Sequence, residues 1–406
     1  MNKKTVQDIS VTGQRVLMRA DFNVPLSSKN PDDDITVTDD SRIRAALPTI
    51  QHLLAQSPQV LILCSHVGRP KSAADTQFST KPIAEALSGL LGQPVLQAPA
   101  VVGDAVAAMV ANAPAGSVVL LENTRFEKGE KKNDPALAQQ LADLADVYVN
   151  DAFGTAHRAH ASTEGVAQVM KAGGGAAVAG FLIGKELDAL GMAVANPPHP
   201  YVAIMGGAKI SDKIKLIDNL LEKADKILIG GGMANTFLRA QGYETGTSLV
   251  EEDAVAEAKR LLDAAGDQLV VPIDVVVADA FSAEAKGNLR FAHRIPADKM
   301  ALDIGPGTVE QFATHIESAA LVVWNGPMGV FEFENFAEGT FGVAQLLAEA
   351  VDNGVQVMIG GGDSAAAIRQ AGLTDKMTHV STGGGASLEL LEGKVLPGIA
   401  ALDDRA

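Results

Sequence analysis

Short apolar runs, each ending in small or polar residues, recur along the chain. Near-continuous runs of four or five apolar residues are typical of parallel strands that are covered on both faces. The eight clearest are RVLMRAD (15–21), VLILCSH (60–66), VVLLEN (118–123), VYVND (147–151), VAIMGG (202–207), KILIGG (226–231), LVVWNG (321–326) and VQVMIGG (355–361). The pattern therefore predicts buried parallel strands in two series, one in each half of the chain.

Segments with helical periodicity alternate with these runs. Apolar residues at spacings of three and four predict helices over 43–54, 82–91, 135–144, 214–221 and 254–262. Alternation of strands and helices is typical of doubly wound α/β sheets. The sequence therefore predicts an α/β fold of two doubly wound, parallel-sheet lobes.

The segment 185–200 lies between the two series. Its first half has a helical pattern, and the double proline Pro197–Pro198 ends that helix. We therefore place the domain junction here, with an N-terminal lobe over 1–185 and a C-terminal lobe over 186–394. The first 185 residues carry 17 basic and 18 acidic residues, whereas the remainder carries 16 and 31, so the first lobe keeps its arginines in an acidic chain.

Composition excludes several classes of protein. The chain has 406 residues, 47% of them hydrophobic and 20% charged, which is typical of a globular protein. A net charge of −16 argues against general nucleic-acid binding. A single cysteine, Cys64, excludes an internal disulfide framework and a multi-cysteine metal site. The uncharged stretch 172–184 is too short to span a bilayer, and the opening residues have no apolar signal region, so we expect a cytoplasmic protein.

Polar and basic residues follow the strands of the first series. Ligands of open parallel sheets bind outside the carboxyl ends of the strands, and guanidinium groups match phosphate and carboxylate oxygens. The candidates are Asp21, Asn23, His66, Arg69, Arg125, Arg158 and, at the start of the next helix, Arg42. Together they predict an anion site, although each arginine taken singly could be a surface charge.

His157 and His160 form an H-x-x-H pair, which raises the question of a metal. No third ligand at a suitable spacing accompanies them. We therefore favour a structural loop or a loop beside a phosphate.

The second half carries glycine clusters after its strands. They are GGAKISDK (206–213), GGGMA (230–234), GGGDS (360–364) and TGGGA (382–386). Glycine lets the backbone approach a ligand, and a helix N-terminus that follows offers free N–H groups to phosphate. Neither the dinucleotide fingerprint nor the Walker A pattern occurs.

Lys209 and Lys213 are four residues apart at the start of a helix, so we expect both to reach the same side of a phosphate chain.

Asp363 has two interpretations. It lies between a strand and a helical run, where an aspartate is a good N-cap. The same place suits a Mg²⁺ ligand that bridges nucleotide phosphates.

These residues occur in motifs that together resemble the phosphoglycerate kinase family. The motifs are RADFNVP (19–25), SHVGRP (65–70), ENTRF (122–126), GTAHRAHAS (154–162), GGAKISDKI (206–214), WNGPMGVFE (324–332), GGGDS (360–364) and STGGGASLELLEG (381–393). They follow the family order over almost the whole chain. The resemblance implies two Rossmann-like lobes joined by a hinge helix, with residues 395–406 packed back on the first lobe.

The resemblance also implies an activity and a set of partners. The enzyme would transfer a phosphoryl group between 1,3-bisphosphoglycerate and ADP, giving 3-phosphoglycerate and ATP, with Mg²⁺ as cofactor and a carboxyl group as acceptor. The partners would be these small molecules, without nucleic acid or membrane, and the chain would be a monomer. Because the two substrates would bind different lobes, the lobes would have to close for reaction.

Roles carry over from the family motifs residue by residue. The implied phosphoglycerate-binding residues are Asp21, Phe22, Asn23, Arg42, His66, Val67, Gly68, Arg69, Arg125 and Arg158. The implied nucleotide-binding residues are Lys213, Gly230, Gly231, Asn325, Glu332, Gly361, Gly362, Asp363 and Ser364, with Asp363 also on the metal. The implied catalytic residues are Arg42, Lys209 and Gly384. The acidic loop 27–38 departs from the family pattern and leaves the approach to Arg42 undefined.

Two other functions are open to such a chain. Another acyl-phosphate kinase could act on acetate or aspartate, but four arginines with Asp21 and Asn23 suit a substrate with phosphate, carboxylate and hydroxyl groups. A two-lobed solute-binding protein would have a signal peptide and no Mg²⁺-binding aspartate.

Overall fold

The computed structural model describes residues 2–405 and divides the chain into two compact units. The first contains the residues up to Asp188 and those from Val395 onward. The second is Ala189–Lys394. The chain therefore passes from the first unit to the second and back.

The first unit is built on a parallel sheet of six strands. They are β1 (Arg15–Arg19), β2 (Val60–Cys64), β3 (Val95–Gln97), β4 (Ser117–Leu120), β5 (Val147–Asn150) and β6 (Ala176–Ala179). Their order is β3-β4-β2-β1-β5-β6. All five residues of β2 are buried, as expected of an apolar strand that is covered on both faces. The four strands predicted in this half are confirmed, whereas the short β3 and β6 had no comparable run.

Helices cover this sheet. They are α1 (Ser41–Ala55), α2 (Lys81–Leu91), α3 (Asp104–Asn112), α4 (Pro135–Asp143), α5 (Val166–Ala172) and α6 (Phe181–Ala195). Local sequence sets their ends: Asp134 caps α4 by accepting from two backbone N–H groups, and Gly92 ends α2 in a left-handed conformation. The division between the units falls inside α6.

The second unit contains nine strands in two sheets. They are β7 (Tyr201–Met205), β8 (Lys226–Ile229), β9 (Leu269–Val270), β10 (Asp274–Ala278), β11 (Asn288–Phe291), β12 (Met300–Ile304), β13 (Leu321–Asn325), β14 (Gln356–Gly360) and β15 (His379–Val380). The larger sheet is parallel, in the order β15-β14-β13-β7-β8-β9. The chain starts at β7, moves outward to β9, and returns to build the other half from β13. This reversal makes a topological switch point between β7 and β13.

The smaller sheet of the second unit was not predicted. It is antiparallel, with β10 between β11 and β12. The β10 sequence is another short apolar run, which periodicity does not distinguish from a strand of the parallel sheet. Every residue of the edge strand β11 is exposed.

Seven helices belong to the second unit. They are α7 (Ile214–Leu221), α8 (Gly231–Ala240), α9 (Val255–Ala265), α10 (Pro306–Ile316), α11 (Glu338–Asp352), α12 (Gly362–Gln370) and α13 (Gly385–Leu391). Trp324 is fully buried in the apolar core between sheet and helices. This arrangement confirms the predicted α/β class and its two parallel sheets.

The last residues of the chain pack on the first unit. A short helix, α14 (Pro397–Ala400), places Gly398 against the loop after β5: the Gly398 N–H donates to the Ala156 carbonyl at 2.9 Å, and Asn150 Nδ2 donates to the Gly398 carbonyl at 3.0 Å. Near the other terminus, Lys3 pairs with Asp404 at 2.7 Å. In residues 2–405, no helix is long and apolar enough to cross a membrane.

Candidate functional site

The loop after β1 and the first turn of α1 bring an acidic and a basic residue together in the first unit. Arg42, in the first turn of α1, donates from Nη1 to Asp21 Oδ2 at 3.0 Å. Asp21 is mostly buried in this ion pair, whereas 41% of the Arg42 side chain is exposed. Arg42 is therefore held at the carboxyl edge of the sheet with part of its guanidinium open to solvent.

The loops after β1 and β2 are bound to each other through Asn23. Its Oδ1 accepts from the Gly68 N–H at 2.8 Å, and the Phe22 N–H donates to Ser65 Oγ at 2.8 Å. Phe22 and Val67 are buried, so they fix the loops from beneath. Asn23, Phe22 and Val67 thus shape the site, and Asn23 keeps its amide nitrogen for other contacts.

Arg125 reaches the same edge from the loop after β4. Its Nη1 donates to the Gly68 carbonyl at 2.6 Å, whereas its buried Nε has no hydrogen-bond partner among the described residues. Burial, followed by the charge of Arg19, lowers the pKa of Arg125. A buried guanidinium donor without an acceptor is costly, and an anion would supply that acceptor.

His66 lies behind these arginines and is almost fully buried. Burial, together with the positive charges of Arg19, Arg125 and Arg42, holds the pKa of His66 well below its usual range. His66 is therefore a neutral imidazole at physiological pH.

The two remaining predicted arginines are exposed. Arg69 is exposed just after Gly68, close enough for its charge to act on Arg125. Arg158 is exposed and donates from Nε to His157 Nε2 at 3.0 Å. The fold thus places six of the predicted groups at one edge, with Arg158 beside His160.

Sequence reasoning missed a buried polar network beneath this edge. Arg19, at the end of β1, is fully buried and bonds to His66, while Glu130 is 1% exposed and bonds to Ser162. His160 Nδ1 lies 3.7 Å from Glu130 Oε1, and burial lowers the pKa of His160 to about 4. The signal in the sequence was Arg19, a charged residue at the end of an apolar run. Such a residue equally well indicates only that the strand ends there.

The second unit has a pocket at its topological switch point. Its volume is about 360 Å³. Its lining residues are Gly207, Ala208, Lys209, Asp212, Lys213, Asn325, Gly326, Gly361, Gly362, Asp363 and Ser364. The pocket therefore gathers the residues that follow β7, β13 and β14, where ligands of doubly wound sheets bind.

Lys213 lies against the pocket floor. Its Nζ donates to the carbonyls of Gly206 and Asn325, both at 2.8 Å, and to Asn325 Oδ1 at 2.7 Å. Burial lowers the pKa of Lys213 to about 8, although the charges of Asp363 and Asp212 act in the opposite direction. The ammonium therefore joins the loops after β7 and β13 from inside the unit.

Lys209 differs from Lys213. Both line the pocket, but Lys209 is exposed, and residues 211–213 form a turn before α7 begins at Ile214. Helical spacing is therefore not what brings the two lysines to the same pocket, because the helix starts one residue after Lys213.

Asp363 lies at the second position of α12, and Gly361 is the N-cap. The N-cap interpretation of Asp363 is therefore wrong, because no side chain caps this helix. Its carboxylate is exposed in the pocket. Ser364 is buried and accepts from the Gly326 N–H at 2.6 Å, so its hydroxyl ties α12 to the loop after β13.

Asn325 carries a second donor without a partner. Its Nδ2 is buried and has no hydrogen-bond acceptor among the described residues, although its Oδ1 is held by Lys213. Gly361, with φ of +89°, packs its backbone close to that amide group. The pocket therefore offers an amide N–H beside the N-terminus of α12.

Four predicted residues do not line this pocket. Gly230 and Gly231 lie behind it, where a Cβ on Gly231 would fall 2.5 Å from Gly207 N, so they allow two backbone segments to meet. Gly384 is the left-handed N-cap of α13, with φ of +49°. Glu332 is exposed in a turn after β13.

A metal at this pocket would rely on few protein ligands. Within residues 2–405, no group of three histidine, cysteine or acidic side chains could hold an ion. Mg²⁺ is commonly bound by one or two carboxylates together with substrate phosphates. The exposed carboxylate of Asp363 beside a phosphate-sized pocket fits that mode, whereas an all-protein cage does not.

Comparison with known proteins agrees with this geometry. The family model described as phosphoglycerate kinase matches residues 6–394. The chain is 56% identical to the phosphoglycerate kinases of Chloroflexus aurantiacus over 409 residues and Herpetosiphon aurantiacus over 408 residues, with 100% of each chain covered. Its structure is similar to those of the phosphoglycerate kinases of Coxiella burnetii (TM-score 0.87, 40% identity) and Pyrococcus horikoshii OT3 (TM-score 0.83, 32% identity), over 98% of each chain. On the family match and on these relatives, the chain belongs to the phosphoglycerate kinase family.

Proposed function

We propose that the chain binds phosphoglycerate on its first unit and a magnesium nucleotide on its second, and moves one phosphoryl group between them. Membership of the family makes the chain a glycolytic kinase. Phosphoglycerate kinases interconvert 1,3-bisphosphoglycerate with ADP and 3-phosphoglycerate with ATP. The observation that carries the division is the different chemistry of the two sites: arginines line one, and glycines with an exposed aspartate line the other.

The first site suits a small ligand with phosphate, carboxylate and hydroxyl groups. Arg42, Arg69, Arg125 and Arg158 would take the anionic groups, because a guanidinium binds two oxygens in one plane. Asp21 would accept a hydrogen bond from a hydroxyl group, which acetate lacks. The unpartnered Nε of Arg125 supports an anion at this edge.

The second site suits the phosphates of ADP or ATP. The first N–H groups of α12 and the Nδ2 of Asn325 would donate to phosphate oxygens, with Lys213 beneath them. An apolar surface for the base lies next to it: Leu249 is 55% exposed, and its Cδ2 is 3.4 Å from the Cβ position of Gly232. Gly232 in turn lies against Ala208 of the pocket.

Mg²⁺ would be held by Asp363 and by the phosphates themselves. When bound, it would neutralise charge on the phosphate chain. Asp363, in the first turn of α12, would be the protein carboxylate that holds the ion.

The transfer needs no covalent enzyme intermediate. A carboxylate oxygen of 3-phosphoglycerate and a β-phosphate oxygen of ADP exchange one phosphoryl group in line, so the protein supplies position and positive charge. We assign that charge to Arg42, whose side chain is 41% exposed, and to Lys209, the exposed lysine of the pocket. The N–H groups around Gly384 would assist.

We further propose that the chain acts in the cytoplasm as a monomer. Its substrates would be small phosphorylated metabolites, and its net charge of −16 disfavours nucleic acid. Light scattering at working concentration would test the monomer, and a mass of twice the 42.1 kDa chain would contradict it.

Turnover with defined acceptors tests the function. ATP-dependent phosphorylation should be measured with 3-phosphoglycerate, acetate and aspartate as alternatives. We expect turnover with 3-phosphoglycerate and none with acetate or aspartate. Equal turnover with acetate would favour another acyl-phosphate kinase, and binding without turnover would favour a binding protein.

A further inference from the structure

A line of four buried side chains runs beneath the arginine-lined edge of the first unit. Glu130 Oε1 accepts from Ser162 Oγ at 2.6 Å, and Ser162 Oγ accepts from Arg19 Nε at 2.9 Å. Arg19 Nη2 then lies 3.0 Å from His66 Nδ1. Arg19, Ser162 and Glu130 are at most 1% exposed, and His66 is 5% exposed. The line therefore connects a buried carboxylate to the one imidazole of the site.

The direction of these hydrogen bonds determines the form of the imidazole. A guanidinium only donates, so His66 Nδ1 must accept, and the ring proton must lie on Nε2. No hydrogen bond from Nε2 to the protein occurs in residues 2–405, so that N–H is left for a ligand. We propose that Arg19, held by Ser162 and Glu130, fixes His66 as the neutral Nε2–H tautomer, so that His66 donates a hydrogen bond without adding charge.

The charges around His66 show why a neutral donor suits this place. Arg19, Arg125 and Arg42 act on the ring with positive charge, and His160 adds to their effect. A second ring proton would add like charge to a buried cluster, and burial itself disfavours the charged form. His66 can therefore contribute a directed N–H to an anion while the arginines supply the attraction.

Glu130 balances the buried charge of Arg19. A buried guanidinium without a counter-charge is strongly destabilising, and the carboxylate reaches it only through Ser162. Ser162 is itself fixed, since its N–H donates to Glu130 Oε2 at 3.0 Å and its carbonyl accepts from the Tyr148 hydroxyl at 2.8 Å. Arg19, Ser162 and Glu130 are thus positioning residues that act through His66.

The ligand of His66 rests on the proposed function, whereas the tautomer does not. Nitrogen NMR of the full chain, with labelled histidine and His66 assigned by a His66→Gln variant, reads both directly. We expect a single Nε2–H tautomer that does not titrate between pH 5 and pH 8. An Nδ1–H tautomer, or titration within that range, would overturn the inference. If the tautomer is fixed but the His66 resonances do not shift when 3-phosphoglycerate is added, the inference is supported and the proposed binding site is contradicted.

Variants separate this role from simple stability. Arg19→Gln removes one of the positive charges, so we expect the pKa of His66 to rise although burial still opposes protonation, and the KM for 3-phosphoglycerate to become more dependent on pH under acidic conditions. Ser162→Ala frees the guanidinium, so we expect a mixture of tautomers and a KM raised by about tenfold, with kcat changed less. If the His66 spectrum and the KM for 3-phosphoglycerate are both unchanged in Ser162→Ala, the positioning role is wrong.

Tyr148→Phe is the matched control. It removes a buried hydroxyl that bonds to the Ser162 carbonyl but does not touch Arg19 or Glu130. We expect a lower Tm with the wild-type tautomer and an unchanged pH profile. If Tyr148→Phe altered the tautomer as much as Ser162→Ala does, the effect would come from general loosening of this segment and not from the hydrogen bonds that join Glu130, Ser162, Arg19 and His66.

Discussion

The two candidate sites stand at equivalent edges of parallel sheets but are built from different parts of the chain. The first relies on side chains with full charges, such as Arg42 and Arg125, which are held by Asp21 and by backbone carbonyls. The second relies on glycine backbone, the N-terminus of α12 and a half-buried lysine. We therefore propose that the two sites would hold anions in different ways, the first through guanidinium groups and the second through close approach of the backbone.

Among residues 2–405, each site nevertheless contains a buried donor without an acceptor. In the first it is Arg125 Nε, and in the second it is Asn325 Nδ2. Because an unpaired buried donor is costly, a ligand oxygen that accepted from either of these two groups would be stabilised. The two sites should therefore respond differently to substitution. Loss of a single charged side chain should leave the first unit folded. A substitution that displaces the glycine backbone should abolish ligand binding at the second site.

Gly231→Ala should have the largest effect. A Cβ there would lie 2.5 Å from Gly207 N, 2.7 Å from Gly207 O and 2.8 Å from Pro327 O, at a φ of +66°. We expect loss of measurable nucleotide binding and a large drop in Tm. Gly242→Ala is the control, because its φ is +86° but no atom lies within 4 Å of the Cβ, so only about 1–2 kcal/mol of backbone strain applies. Equal losses in the two variants would show that close approach is not what glycine provides.

Arg42→Ala should lower kcat by about 10²–10³-fold, because it removes a preorganised charge that meets the transferring phosphoryl group. Arg42→Lys should recover only part, since an ammonium keeps the charge and loses the fork. Steady-state kinetics with both substrates varied provides the measurement. A normal kcat with only a raised KM for 3-phosphoglycerate would make Arg42 a binding residue and leave the charge to Lys209.

Lys213 should make nucleotide binding depend on pH. Its pKa is lowered to about 8 by burial, and phosphate favours the ammonium, so binding above pH 8 should take up a proton. Affinity should fall by up to about tenfold per pH unit above that value. Calorimetry at pH 8.5 in two buffers of different ionisation enthalpy measures the uptake. Lys213→Met should take up no proton, and wild-type protein that takes up none would contradict the assignment.

Asp363→Ala should have the smallest effect of the four. Loss of one charged ligand should weaken Mg-nucleotide binding by about tenfold and leave 3-phosphoglycerate affinity unchanged. Because Asp363 does not cap α12, its Tm should stay close to that of the wild type. A lower Tm with a normal nucleotide KM would show a structural role instead.

Sequence patterns predicted eight of the twelve strands in the two parallel sheets, because buried parallel strands leave continuous apolar runs. They did not reveal the antiparallel sheet, since β10 has the same apolar pattern and β11 is exposed on both faces. The helical reason given for placing Lys209 and Lys213 together does not apply, because α7 begins at Ile214, although both lysines line the same pocket.

The buried network around Arg19 could not be predicted from local pattern. Arg19 and Ser162 are 143 residues apart, and only the pairing of β1 with β5 and the turn that follows bring them together. Glu130 lies on a third segment. A buried charge becomes recognisable only when its distant partner is known, whereas an apolar strand is recognisable from its own residues.

Amide chemical-shift mapping of each ligand on the wild-type chain tests the central division most directly. We predict that 3-phosphoglycerate shifts the amides of 21–23, 66–69 and 125, and that Mg-ADP shifts those of 206–213 and 361–364. The two sets should remain separate when each ligand is added alone. Nucleotide shifts centred on the arginine-lined edge, with 206–213 and 361–364 unmoved, would contradict the account.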